Sequence, residues 1–87
     1  MSLDSLRRHL TWSEEHVLKA VAKTIPNGGR IVMSRLADEH GVTRTTVHSA
    51  LRKAALAGLV DQRSLGAKGS VILVRDPEAW AELARSA

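Results

Sequence analysis

Residues Leu3, Leu6 and Leu10 recur at i, i+3 and i+7, which predicts one or two amphipathic helical turns, marginal on their own. Thr11-Trp12-Ser13-Glu14 has capping-box spacing: the Thr11 hydroxyl accepts from the backbone and the Glu14 carboxylate reaches back, so a helix should start there. Val17, Leu18, Val21, Ala22 and Ile25 supply its core-facing stripe, and Pro26-Asn27-Gly28-Gly29 stops it. Ile31-Val32 is too short to be a strand alone and reads as the edge of a small sheet. Ser34 reads as the N-cap of a short helix with Leu36, Ala37 and His40 inward and Gly41 as a left-handed C-cap. After a tight connection Thr43 caps a longer helix, Arg44 to about Ala57, which ends at Gly58.

Leu59 to Ser64 and Ser70 to Arg75 then read as two strands, joined by the glycine-containing hairpin loop Leu65-Gly66-Ala67-Lys68-Gly69. Asp76-Pro77-Glu78 gives an N-cap, a proline at the first helical position and an acid in the first turn, so a last helix should carry Trp80, Leu83 and Ala84. This order predicts an α+β, mainly α fold: a winged helix-turn-helix with a three-helix core, a small antiparallel β-hairpin wing and a C-terminal helix. No internal repeat or low-complexity stretch competes with that organisation.

The chain has 87 residues, enough for one core; two cores would each fall below the size at which burial offsets chain entropy. Hydrophobic residues make up 44% and charged ones 25%, a globular balance, and without Phe or Tyr the packing must be aliphatic. The absence of Cys removes disulfide and thiolate chemistry. The longest run free of polar side chains, Ala54 to Val60, is far short of the roughly 20 residues of a membrane span, and Asp4, Arg7 and Arg8 interrupt any signal-peptide pattern. A cytoplasmic protein with no membrane partner is expected.

Charge sharpens the picture. The formal net charge is +4, with a pI of about 10.4, yet its distribution is uneven. From Thr43 to Arg75 stand six cations, Arg44, Arg52, Lys53, Arg63, Lys68 and Arg75, against the single anion Asp61, a net of +5. The remainder is close to neutral, so the excess marks one segment for a polyanion. At about 100° per residue, Val47, Ala50, Leu51 and Ala54 share one side of the helix beginning at Arg44. Thr45, His48, Ser49 and Arg52 share the other, flanked by Arg44 and Lys53, with no carboxylate on that face. Arginine pairs bidentately with guanine, hydroxyls bond phosphates or bases, and threonine methyls touch thymine methyls. On the hairpin, Arg63, Lys68 and Ser70 suit phosphate or minor-groove contacts.

Other chemistry is poorly supported. His9, His16, His40 and His48 lack metal-ligand spacing, and no metal site or cofactor is expected. The Gly66 to Ser70 stretch resembles a phosphate loop only superficially, because its spacing is wrong and it lies between strands. His48 and Ser49 are adjacent on a helix and point about 100° apart, so they form no nucleophile and base pair. No catalytic residue, and no enzyme, is expected. Trp12 and Trp80 read as core or rim packing rather than base-stacking platforms.

Ser34-Arg35-Leu36-Ala37-Asp38, Gly41-Val42-Thr43-Arg44-Thr45, Ala50-Leu51-Arg52-Lys53, Ala57-Gly58 and Arg63-Ser64-Leu65-Gly66-Ala67-Lys68-Gly69 resemble the C-terminal DNA-binding domain of the CodY family of transcriptional regulators. The likeness covers roughly Thr11 to Val74. It implies sequence-specific binding of double-stranded DNA, repression and sometimes activation, and an inverted-repeat operator read by a dimer in the full-length protein or on DNA. It also implies a separate N-terminal GAF domain that senses branched-chain amino acids and is joined by a long helix. That effector-sensing domain is expected to be absent from this chain. Residues 1–10 then read as an N-terminal arm or the tail of the connecting helix, Met1-Ser2-Leu3 as an appended leader, and residues 11–87 as the DNA-binding domain. Thr46, His48 and Ser49 depart from the family's recognition helix, so the operator sequence is not carried over. The expected DNA-binding set is Ser34, Thr43, Arg44, Thr45, Thr46, His48, Ser49, Arg52, Lys53, Arg63, Ser64, Lys68 and Ser70. A winged helix that binds an acidic protein partner, or RNA, is the alternative.

Overall fold

The computed structural model describes residues 3–85. They form five α-helices and a three-stranded antiparallel sheet in the order α1 (Leu3–His9), α2 (Trp12–Thr24), β1 (Gly29–Ile31), α3 (Met33–His40), α4 (Arg44–Leu56), β2 (Val60–Ser64), β3 (Ser70–Val74) and α5 (Pro77–Arg85). A single 3₁₀ turn, Gly66–Lys68, sits in the hairpin between β2 and β3. The fold is a winged helix-turn-helix, as the pattern of elements predicts. Met1 and Ser2, read above as part of a leader, lie outside the described residues.

Local signals set most of the boundaries. The capping box forms at α2: the Glu14 amide donates to Thr11 Oγ1 at 3.1 Å and the Thr11 amide donates to Glu14 Oε1 at 2.8 Å. Gly41 closes α3 in the left-handed region, with φ 64°, and three residues later α4 starts behind Thr43, whose hydroxyl accepts from the Thr46 amide at 3.1 Å. At α3 the expectation fails. Its capping position is Val32, not Ser34, and no side chain caps it. Ile31 is paired with Ser70 in the sheet, so the chain stays extended through Val32 and the helix begins at Met33, leaving Ser34 inside the first turn.

The sheet order is β1-β3-β2. β3 is central: Ile72 stands opposite Gly29 on one side and Gln62 on the other. One core fills the space between sheet and helices, with Val17, Leu18, Val21 and Ala22 from α2, Val47, Ala50, Leu51 and Ala54 from α4, Leu59, Val60 and Ile72 around the sheet, and Trp80 and Leu83 from α5. Leu3 and Leu6 of α1 are buried in the same cluster, so tertiary contact holds a helix too short to persist alone and draws residues 3–9 of the expected arm into the core. Trp80 is fully buried and its indole N–H donates to the Ile25 carbonyl at 3.2 Å, seating α5 on the end of α2. Trp12 departs from its expected packing role. It is 81% exposed, its ring stacked on His16 at 5.8 Å, and His16 in turn meets the edge of the half-buried His40 at 5.2 Å.

Leu51 is fully enclosed by these elements. Leu51→Ala should lower unfolding free energy by about 2 to 5 kcal/mol through lost transfer energy and a residual cavity. Urea denaturation should show this as a reduced midpoint with the slope retained.

Candidate nucleic-acid interface

α4 buries Val47, Ala50, Leu51 and Ala54, and its remaining circumference divides in two. Arg44, His48 and Arg52 follow one another at i, i+4 and i+8 as an exposed stripe, with exposed Thr45 beside it. Thr46, Ser49 and Lys53 lie on the other flank and are half-buried. The face expected to be continuous is therefore split.

The cause is a carboxylate from another helix. Glu14, in the first turn of α2, is 4% exposed. Its Oε2 accepts from Ser49 Oγ at 2.5 Å, and its Oε1 accepts from Lys53 Nζ at 2.8 Å as well as from the Thr11 amide. Lys53 Nζ also donates to the His9 carbonyl at 2.8 Å, so one ammonium links the end of α1, the start of α2 and the last turn of α4. Burial pushes the Glu14 carboxyl up, but the hydrogen bonds from Lys53, Ser49 and the Thr11 amide, with the Lys53 charge, outweigh it and hold the pKa lowered to about 2. The polar heads of Ser49 and Lys53 are thus already engaged within the domain.

The wing sets the opposite wall. In the β2–β3 ladder Gln62 pairs with Ile72 and Ser64 with Ser70, while Asp61 pairs with Leu73 and Arg63 with Val71. Alternation along a strand sends the first set toward α4 and the second to the outer face. Arg63 is therefore exposed on the face away from the α4 cleft, together with Leu73 and the Arg75–Asp61 ion pair at 2.7 Å. Ser70, expected as a wing contact, is buried at the start of the central strand β3. Between wing, α3 and α4 lies an open cleft of about 310 Å³, whose lining includes Ser34, Arg44, His48, Gln62, Ser64 and Ser70. Lys68 is exposed in the hairpin turn. Thr43 and Thr46 bond each other through their hydroxyls at 3.0 Å at the start of α4. Gln62 is a cleft residue that composition and helix patterning pass over; only its two-residue phase with Ser64 marks it.

Ion pairing thins the basic segment. Lys53 is matched to Glu14 and Arg75 to Asp61, which leaves Arg44, Arg52, Arg63 and Lys68 outside any ion pair among the described residues. No group of three metal-ligating side chains occurs among the described residues, and no helix there is long and apolar enough to cross a membrane.

Residues 27–85 match the model of the CodY helix-turn-helix domain, the span that carries β1, the two helices of the helix-turn-helix, the wing and α5. The chain belongs to the CodY helix-turn-helix family. It is 36% identical over 78 residues to the global transcriptional regulator CodY of Staphylococcus haemolyticus, covering 88% of this chain and 30% of that protein. To the regulator of the same name from Staphylococcus aureus strain JH9 it is 35% identical over 86 residues, covering 99% of this chain and 32% of that protein. The chain thus spans about a third of the length of the curated relatives it matches. The CodY domain model begins beyond α2, so Glu14 lies outside the matched span while its partners Ser49 and Lys53 lie inside it.

Because the folded-state pKa of Glu14 is depressed, its stabilising contribution is fully present above the ordinary value of 4.5 and is lost as pH falls from about 4.5 toward 2. The loss should be on the order of 3 kcal/mol at most. Denaturant midpoints measured across that window should fall for the wild-type chain and stay nearly level for Glu14→Gln, which is already neutral.

Proposed function

We propose that this chain is the operator-reading part of a CodY-type transcriptional repressor and binds double-stranded DNA sequence-specifically. The observation that carries the reading is the Arg44, His48 and Arg52 stripe, exposed and free of carboxylates, on the second helix of a helix-turn-helix within a chain of this family. In this role α4 enters the major groove with Arg44, Thr45, His48 and Arg52 facing base edges. Ser34, Thr43 and Ser64 offer hydroxyls to the DNA backbone beside the groove, and Lys68 and Arg63 extend the contact along the wing. Thr46, Ser49 and Lys53 act differently from what the helical face alone implies: Thr46 supports the start of α4, while Ser49 and Lys53 fix its rotation through Glu14. The chemistry is binding, with no bond made or broken. An inverted-repeat operator would be read by two such chains, one per half-site, which is how a symmetric pair of helix-turn-helix units matches DNA symmetry.

Fluorescence anisotropy with a duplex selected from a random library tests this directly. Log affinity should fall linearly with log salt, by about 0.9 per phosphate contacted. Arg52→Ala should cost about 1 to 3 kcal/mol of specific binding while leaving the denaturation midpoint unchanged. Affinity indifferent to both salt and duplex sequence would favour a protein-binding winged helix, and preference for structured RNA of equal length would favour an RNA-binding one.

A further inference from the structure

The outward stripe of α4 holds two kinds of base-reading group. Arg44 and Arg52 keep their charge at any working pH, whereas the residue between them, His48, carries an imidazole, the one side chain that ordinarily changes charge between about pH 5 and 8. His48 is exposed, stands one helical turn from each arginine and lines the cleft between α4 and the wing. Among the described residues no hydrogen bond, ion pair or ring contact engages its imidazole, so both ring nitrogens are open to a ligand.

The surroundings leave the state of that ring to what binds it. Across the cleft stand Gln62, Ser64 and Ser70 of the wing and Met33 and Ser34 of α3, all uncharged. Arg35, Asp38 and Glu39 of α3 are exposed and do not line the cleft, and neither do Lys68 in the hairpin turn or Arg63 on the outer sheet face. The carboxylates of α2 and β2 are matched elsewhere, Glu14 to Ser49 and Lys53 and Asp61 to Arg75. Helix α1 is tied to α4 on the Lys53 flank. No acid of the fold therefore competes with an incoming acceptor for the ring. The other histidines stand apart: His16 and His40 contact each other across α2 and α3, and His9 ends α1.

A neutral imidazole offers one donor and one acceptor and can face either kind of base edge, whereas an imidazolium offers donors only. In the major groove guanine presents two acceptors, N7 and O6, while adenine and cytosine each present an amino donor. We infer that His48 is a proton-dependent specificity residue: one proton taken from solvent commits it to guanine at a single operator position and tightens binding there. This switch rests on DNA reading by α4, and it makes base preference as well as affinity a function of pH.

Duplex selection from a random library, followed by fluorescence anisotropy on the selected duplexes at constant ionic strength, is performed at about pH 7.5 and about pH 5.5, on either side of the ordinary imidazole range. The chains compared are the wild type and His48→Gln. The Glu14 network stands throughout, because its contribution is lost only from about 4.5 downward. Glutamine cannot ionise, and at an exposed position it leaves the fold standing. In acid the wild-type chain should select guanine more strongly at one position and bind that duplex about tenfold tighter, the margin of a charge-assisted over a neutral hydrogen bond. His48→Gln should hold one preference at that position at both pH values, without the tightening. An equal gain in the two chains would assign the proton to another group and overturn the inference while leaving DNA reading intact. So would sequence-specific wild-type binding whose preference and affinity ignore pH. Binding indifferent to duplex sequence at both pH values would overturn DNA reading, and the switch with it.

Discussion

The orientation of α4 depends on one buried carboxylate. Taking the Glu14 charge out of water is unfavourable unless its oxygens are bonded, and here three donors converge on it from α4 and from the start of its own helix. Two of those donors lie on one flank of α4, so the bonds act as a rotational stop. With Ser49 and Lys53 turned toward α2, the Arg44, His48 and Arg52 stripe has only one direction left, outward and toward the wing. An aliphatic core alone would constrain α4 less sharply, since small residues such as Ala50 and Ala54 pack tolerably over a range of rotations.

The sheet completes this geometry by its alternation. β3 is the middle strand, so its phase decides which side of the wing faces α4, and Ile72 fixes that phase by entering the core. Gln62 and Ser64 follow it inward, and Arg63 is carried to the far side. The result is a surface with two characters: a polar cleft between α4 and the wing, and an outer sheet face where Leu73 lies beside the Arg75–Asp61 pair.

Much of this was legible in the chain because the signals are local. The capping box at Thr11, the glycine at position 41, the Asp76-Pro77 helix start and the hairpin glycines each act within four residues, and each element stands where those residues place it. The candidate site was less legible because it depends on contacts between distant positions. Glu14 announces itself as a capping residue and gives no sign that Ser49, 35 positions away, and Lys53 share it. Ser34 has the right chemistry for a cap, but the helix starts two residues earlier, directly after the strand in which Ile31 pairs with Ser70. Helical phase told inward from outward on α4; it had no means of dividing the outward half.

The two tryptophans have a practical consequence. With no tyrosine or phenylalanine in the chain, near-ultraviolet absorption and emission come from two indoles in opposite surroundings. Trp12 is in water, stacked on an imidazole, and open to an aqueous quencher such as iodide. Trp80 is enclosed, hydrogen-bonded to a carbonyl and shielded from it. The domain therefore carries two built-in optical probes separable by colour and quenching: one senses the surface formed by α2 and α3, the other the docking of α5, and neither requires a label.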